Sequence, residues 1–353
     1  MRIAQIPPLF ETVPPKLYGG TERVVAHLCD ELVQLGHDVT LFAAADARTR
    51  ARLCVVRDEA IRLDNTPLKS ELASHLAMLH EVRRRAGSFD ILHFHTDLLH
   101  FPMFESYAGK CLTTLHGRLD IKDLSRAYER WPGFGLVSIS DAQRRPLPQA
   151  NWVATVPHGV PGSLYQFVST PGDYLAFLGR ISPEKGPAEA IRLAIRAGVP
   201  LKIAAKVDRV DRAYFESEIK PLLAHPLIEF VGEIGDADKS AFLGQARALL
   251  FPIDWPEPFG LVMIEAMACG TPVIAYDSGS VREVVAQGRS GFIASGAEEA
   301  LAAIARCAEL PRRAVREDYE RRFTARTMAE AYVEVYAAMS APRKALARIA
   351  AGM

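Results

Sequence analysis

Cysteine is scarce in this chain: there are five in 353 residues. Cys29, Cys54, Cys111, Cys269 and Cys307 form neither a Cys-x-x-Cys pair nor a zinc-finger spacing, and their number is odd. A disulfide framework is therefore excluded, and reduced thiols in a cytoplasmic setting are expected. Net charge is missing as well. Lys plus Arg equals Asp plus Glu at 42 each, so no global field draws the chain to nucleic acid or to an acidic membrane. Basic runs such as Arg83-Arg84-Arg85 read as solvated helix faces. No apolar run is long enough for export or for spanning a bilayer, and Met1 leads straight into a strand-like RIAQI, so a soluble protein is expected. Neither half opens with Gly-x-Gly-x-x-Gly after its first strand, which excludes a dinucleotide oxidoreductase. Internal repeats and low-complexity blocks are absent too.

What the chain does have is apolar residues, 49% of it, and enough length for two domains. Strand-like runs at Ile3 to Ile6, Val39 to Ala43, Ile91 to Phe94, Leu112 to Leu115, Leu136 to Ile139 and Val153 to Val156 alternate with helical patterns. The clearest helix follows Thr21, read as its N-cap, carries Val24, Val25, Leu28, Leu32 and Leu35 on one face, and ends at Gly36. That rhythm means parallel βαβ units. A turn-rich stretch from Pro157 to Asp173 interrupts it. The alternation then restarts with Tyr174 to Leu178, a helix to Ala197, and strands at Leu201 to Ala205, Ile228 to Val231, Ala248 to Phe251 and Val273 to Ala275. Two Rossmann-like halves facing one cleft fit this layout.

The most informative stretch is WPEPFGLVMIEAMACGTPVIA, Trp255 to Ala275. Glu257 lies in a loop that Pro256 and Pro258 bias away from helix; Phe259-Gly260 then opens an apolar helix that carries Glu265 and stops at Gly270. A helix start offers backbone N–H groups to a phosphate. Ionised carboxylates accept hydrogen bonds from vicinal hydroxyls, so a nucleotide sugar satisfies all of these features at once. Gly19-Gly20, between the first strand and its helix, permits close approach of a ligand to backbone. Arg180 and Lys185 follow a strand end without a metal site beside them. Two such cations can stabilise a departing diphosphate, or form a surface pair with Glu184. His116 also ends a strand, as do His93 and His95, while His100 lies nearby; His93, His95 and His100 read as structural histidines, and none has the context of a zinc site. Asp120 either orients an acceptor hydroxyl or caps a helix, and Asp236-Ala237-Asp238 reads as a helix cap rather than a metal ligand.

The Glu257-x7-Glu265 pattern resembles the donor-site signature of family-4 retaining glycosyltransferases of the GT-B fold. YGGTERVV from Tyr18, TLHGRLD from Thr114, VSIS from Val137, VPHGVP from Val156 and FLGRISPEKG from Phe177 recur in that family's order. The resemblance implies an α/β protein with two doubly wound parallel sheets. Residues 1–165 would form an acceptor-side domain and 173–325 a nucleotide-sugar domain, with a helical tail over 326–353 crossing back to the first. It implies catalytic roles for His116, Arg180, Lys185 and Glu257. Donor contacts would come from Gly19, Gly20, Glu233, Ile234, Phe259, Gly260, Leu261, Val262 and Glu265, and acceptor contacts from Tyr18 and Asp120. It implies no metal and no cofactor beyond a nucleoside-diphosphate sugar. The acceptor is a small molecule, a saccharide or a lipid-linked hydroxyl, and the oligomeric state stays open. Two positions depart from the family: KIAAKVDRVD replaces a glycine-rich turn, making Lys206 and Asp208 either extra donor contacts or ordinary charges, and His158 stands where Asn is usual. Other GT-B activities, a sugar phosphorylase or a nucleotide-sugar epimerase, share much of this pattern. A non-catalytic carbohydrate-binding protein would have no use for Arg180, Lys185, His116 and both glutamates together.

Overall fold

The computed structural model describes residues 1–17 and 19–340. Among them thirteen strands form two sheets, and every pairing is parallel. The first sheet holds β1 (Arg2–Ile6), β2 (Asp38–Ala44), β3 (Arg52–Arg57), β4 (Ile91–Phe94), β5 (Cys111–Thr114), β6 (Gly135–Ser138) and β7 (Trp152–Thr155), in the order 3-2-1-4-5-6-7. The second holds β8 (Leu175–Arg180), β9 (Leu201–Lys206), β10 (Ile228–Gly232), β11 (Ala248–Phe251), β12 (Val273–Tyr276) and β13 (Gly291–Ala294), in the order 10-9-8-11-12-13. The inner strands β4, β5 and β11 are buried along their whole length. Layers cover both faces of a parallel sheet, which is why these strands read as unbroken apolar runs. The expected two-sheet α/β architecture is present. In each sheet the chain order reverses once, between β1 and β4 and between β8 and β11. A crevice opens at the carboxyl ends of the strands at such a reversal.

The differences from the sequence reading lie at the edges and caps. β3 and β13 are additional strands, each at the edge of its sheet. β3 is nowhere fully buried and mixes charged with apolar residues, so its pattern carries little signal. The helix Gly20–Gln34 starts one residue before Thr21, with Gly19 in the cap position and no side chain bonding its first turn. Thr21 is therefore inside the helix and not its cap. At the other end Gly36 adopts φ 84, the left-handed stop that the sequence suggests.

Beyond the last strand, the helix Ala325–Ser340 packs on the first sheet, where Met328, Ala329, Tyr332 and Tyr336 join Ile3, Val25 and Leu28 in one apolar core. Val160 forms a bridge with Thr324, and the Tyr319 hydroxyl donates to the Val160 carbonyl at 2.7 Å. The part of the expected tail from 341 to 353, like Tyr18, lies outside the described residues. No helix among the described residues is long and apolar enough to cross a membrane. All five cysteines are free thiols.

Candidate functional site

The two reversal points face each other across a cavity of about 330 Å³. From the first domain comes the start of the helix Gly20–Gln34, whose N–H groups no side chain caps. From the second comes the helix Leu261–Ala268, preceded by Gly260 in the left-handed region at φ 80 and likewise without a side-chain cap. A Cβ at Gly260 would lie 2.8 Å from Met263 Cε and 3.0 Å from Phe251 Cζ, so glycine is required by conformation and by space. The two starts are neighbours: a Cβ on Gly20 would meet Leu261 Cδ1 at 3.7 Å. Two open helix N-termini thus converge on one cavity, an arrangement that favours an anionic group.

Lys185 reaches this cavity because Gly186 turns at φ 69 so close to the β11 loop that a Cβ would fall 2.0 Å from the Pro252 carbonyl oxygen. The Asp254 amide fixes the two loops together by donating to the Glu184 carbonyl at 2.9 Å. Lys185 Nζ donates to Glu257 Oε2 and sits 4.8 Å from the centroid of the Trp255 ring. Trp255 Nε1 donates to the same carboxylate oxygen at 2.8 Å. Arg180 lies at the end of β8 among three carboxylates, 2.6 Å from Glu184, 3.8 Å from Asp208 and 3.6 Å from Asp211. The surface-style pair with Glu184 exists, yet Arg180 still lines the cavity with Lys185 and Lys206. Lys206 in turn pairs with Asp208 at 3.0 Å.

Glu265 is buried beneath the opposite wall. Its Oε1 accepts from Tyr165 Oη at 2.9 Å and from Lys239 Nζ at 3.1 Å. Burial alone would raise this carboxyl, but the charges of Lys239 and Arg23 and the two hydrogen bonds outweigh it and hold Glu265 below the usual carboxylate range. Arg23 comes from the first domain, is 3% exposed, and reaches Asp236 at 2.9 Å. Asp236 also meets Lys239 at 3.2 Å. It does not cap its helix: the helix Asp236–Gly244 has Gly235 in the cap position, and the Asp236 carboxylate is turned to the cations instead. Arg23, Asp236, Lys239, Glu265 and Tyr165 therefore form one polar cluster joining the domains. Sequence reasoning passed over Arg23 although it lies in the YGGTERVV motif, and nothing local singled out Lys239.

His116, at the end of β5, is held between two other rings. His158 stacks on it with centroids 5.1 Å apart and planes at 19°, and packs edge-on against Phe259 at 5.1 Å. His95 Nδ1 lies 2.8 Å from His116 Nε2. Burial lowers the imidazole of His116 to about 3 and that of His95 well below its usual value, so both rings are neutral. The departure at His158 thus falls inside the site. His93 and His100 are fully enclosed, in line with a structural role, whereas His95, read the same way from the sequence, touches His116 and helps line a second cavity of about 590 Å³ on the first-domain side. Glu22, Arg62, Glu71, His75 and Asp97 share that cavity, and Gly19, Gly20 and His116 border both. Among the described residues no group of three His, Cys, Asp or Glu is arranged to hold a metal ion.

His116, Arg180, Lys185, Glu257, Gly19, Gly20, Glu233, Ile234, Phe259, Gly260, Leu261, Val262 and Glu265 all border the smaller cavity. Asp120 does not border either cavity. Its carboxylate is taken by Arg118 in two bonds of 2.7 Å each, and Asp123 occupies the cap position of the next helix, Leu124–Arg130. The capping role expected of Asp120 is therefore not realised.

Both halves of the chain are similar to known glycosyltransferases. Residues 18–161 match the family described as Glycosyltransferase Family 4, and residues 168–323 match Glycosyl transferases group 1. A phosphatidyl-myo-inositol mannosyltransferase of Mycobacterium leprae is 29% identical over 90% of this chain and 90% of its own length. A glycogen synthase of Mycobacterium tuberculosis is 26% identical, covering 92% of each. Among solved structures, a glycosyltransferase involved in avilamycin A biosynthesis superposes with a TM-score of 0.74 at 26% identity, over 96% of this chain and 98% of that one.

Proposed function

The chain belongs to family 4 of the glycosyltransferases and has the GT-B fold, and on that premise we propose that it transfers a sugar from a nucleoside diphosphate to a hydroxyl acceptor, with retention at the anomeric carbon and without a metal ion. The observation that carries this reading is the meeting of two uncapped helix starts, at Gly20 and Leu261, beside Lys185 and Arg180 in one cavity. Fixed dipoles and fixed cations aimed at one place stabilise the charge that develops on a departing diphosphate. That is the work a divalent ion does in other transferases.

Glu265 offers its Oε2 to ribose hydroxyls, since both of its bonds fall on Oε1. Glu257, tied through Oε2 to Lys185 and Trp255, offers Oε1 to sugar hydroxyls. The acceptor enters by the 590 Å³ cavity, which meets the donor cavity at Gly19, Gly20 and His116. In the transfer, the bond between the anomeric carbon and the phosphate oxygen breaks as the bond to the acceptor oxygen forms on the same face. The acceptor's proton passes to the departing phosphate. The relatives include a phosphatidyl-myo-inositol mannosyltransferase and a glycogen synthase, so the acceptor class is decided by this chain's own second cavity. A cytoplasmic enzyme agrees with five free thiols. The test is proton NMR of a nucleotide-sugar panel incubated with the enzyme in EDTA, following the first-formed sugar released to water. Release of the donor's own anomer supports the proposal; the opposite anomer would remove retention, and release only after manganese or magnesium is restored would remove metal independence.

A further inference from the structure

A row of buried polar side chains runs from the cleft to the helix Ala325–Ser340. His116 Nε2 lies 2.8 Å from His95 Nδ1, and His95 Nε2 lies 2.9 Å from Gln5 Oε1. The Gln5 amide nitrogen faces Tyr336 Oη at 3.1 Å and His93 Nδ1 at 3.3 Å. Tyr336 Oη is 2.7 Å from that same His93 Nδ1, His93 Nε2 is 2.8 Å from Thr114 Oγ1, and Thr114 Oγ1 is 2.8 Å from Tyr332 Oη. Gln5, His93, His95, Thr114, Tyr332 and Tyr336 are each at most 4% exposed, so no solvent intervenes to rearrange the row.

The directions of these bonds are linked. An amide oxygen only accepts, so His95 Nε2 must carry the proton. A neutral imidazole with Nε2–H has a lone pair on Nδ1, so His95 Nδ1 accepts and His116 Nε2 must donate to it. His116, also neutral, is left with a bare Nδ1. That atom is buried and has no hydrogen-bond partner within the protein, while the ring borders both the donor cavity and its neighbour. At the far end the same logic holds: the Gln5 amide nitrogen donates to His93 Nδ1 and Tyr336 Oη, and His93 Nε2–H donates to Thr114.

We propose that Gln5 and His95 are positioning residues that fix His116 as the neutral Nε2–H tautomer, so that its Nδ1 accepts a hydrogen bond from a hydroxyl of the transferring sugar. Tyr336 completes the row by accepting from the Gln5 amide nitrogen. The ligand chemistry is a hydroxyl donor; an ionised carboxylate at the same place on the sugar would meet a lone pair and be rejected. The proposal rests on the glycosyltransferase reading for the identity of the ligand, whereas the tautomer itself does not.

Long-range proton–nitrogen NMR of protein labelled with nitrogen-15 at histidine tests it without substrate, the His116 signals being assigned by their loss in His116→Asn. His116 is expected as the Nε2–H form from pH 6 to 8. An Nδ1–H form, which a reversed Gln5 amide would impose by inverting every bond in the row, or an imidazolium in that range, would overturn the proposal. Gln5→Leu is expected to mix the two His116 tautomers and to lower kcat for donor hydrolysis several-fold, with nucleoside-diphosphate affinity within about twofold. An unmixed Nε2–H tautomer with unchanged kcat in that variant would also overturn it. If no nucleotide sugar is turned over, the NMR result still decides the tautomer, and only the functional reading falls.

Discussion

Glu257 and Glu265 are both buried and each pairs with a lysine, Lys185 and Lys239, but they hang from different elements, so under the proposed function they serve different parts of a nucleotide sugar. Glu265 rises from the helix Leu261–Ala268, whose start faces the proposed diphosphate seat; Glu257 lies in the preceding loop beside Trp255. Glu265→Gln is expected to weaken a free nucleoside diphosphate, whereas Glu257→Gln spares the diphosphate and weakens only the intact donor. A charge-assisted bond of this kind contributes roughly 1.5 to 3 kcal/mol. Calorimetric titration of each variant with both ligands separates the roles, and the reverse pattern would exchange them. Each glutamate also anchors a lysine, so Glu265→Gln loses part of the tie between the domains through Lys239, Asp236 and Arg23.

At the scale of elements, the site depends on loops that only glycine can follow. Gly260→Ala would place a methyl group against Met263 and Phe251 at φ 80. The left-handed backbone alone costs a non-glycine residue about 1 to 2 kcal/mol, so urea unfolding should show at least that loss together with weaker diphosphate binding. Unchanged stability would mean the loop relaxes freely. Most of these elements were legible in the sequence because their information is local: the inner strands as apolar runs, the helix from Leu261 between Phe259-Gly260 and Gly270, and the Glu257–Glu265 spacing. The edge strand β3 was not, since a half-exposed strand needs no continuous apolar run. The helix starts were misplaced by a residue at Thr21 and misread at Asp236 for a common reason. The usual cap signals are side chains, and these helices leave their first turns without one. The contact between Arg23 and Asp236 spans 213 positions, so no local pattern could announce it.

For the whole molecule, enclosed histidines set the response to acid. Burial lowers His27 to about 4 and His116 to about 3, and pushes His93, His95, His100 and His158 well below their usual value. Above about pH 6.5 these rings are neutral in both folded and unfolded chains, so stability does not depend on them. As pH falls below 6.5 the unfolded chain takes up protons that the folded one refuses, and each ring removes about 1.4 kcal/mol per pH unit until its folded value is reached. Glu22 acts in the opposite sense: burial raises it to about 7, so the folded chain keeps a proton between about pH 4.5 and 7 that the unfolded chain releases. Burial raises Glu31 and Asp97 as well, and three carboxyls do not offset six imidazoles. The urea midpoint is expected to fall steeply between pH 6.5 and 5, and a level profile would show that the rings are not held neutral. Under the proposed function, two facing domains grip a nucleoside diphosphate with helix starts and fixed cations in place of a metal ion. Its most direct test is calorimetric titration of wild type and Lys185→Ala with UDP, GDP and ADP in excess EDTA. At least one diphosphate should bind the wild type under chelation, and roughly 10- to 150-fold more weakly to the variant, corresponding to about 1.5 to 3 kcal/mol. Binding that disappears in EDTA and returns with magnesium or manganese, or an affinity that Lys185→Ala leaves unchanged, would contradict it.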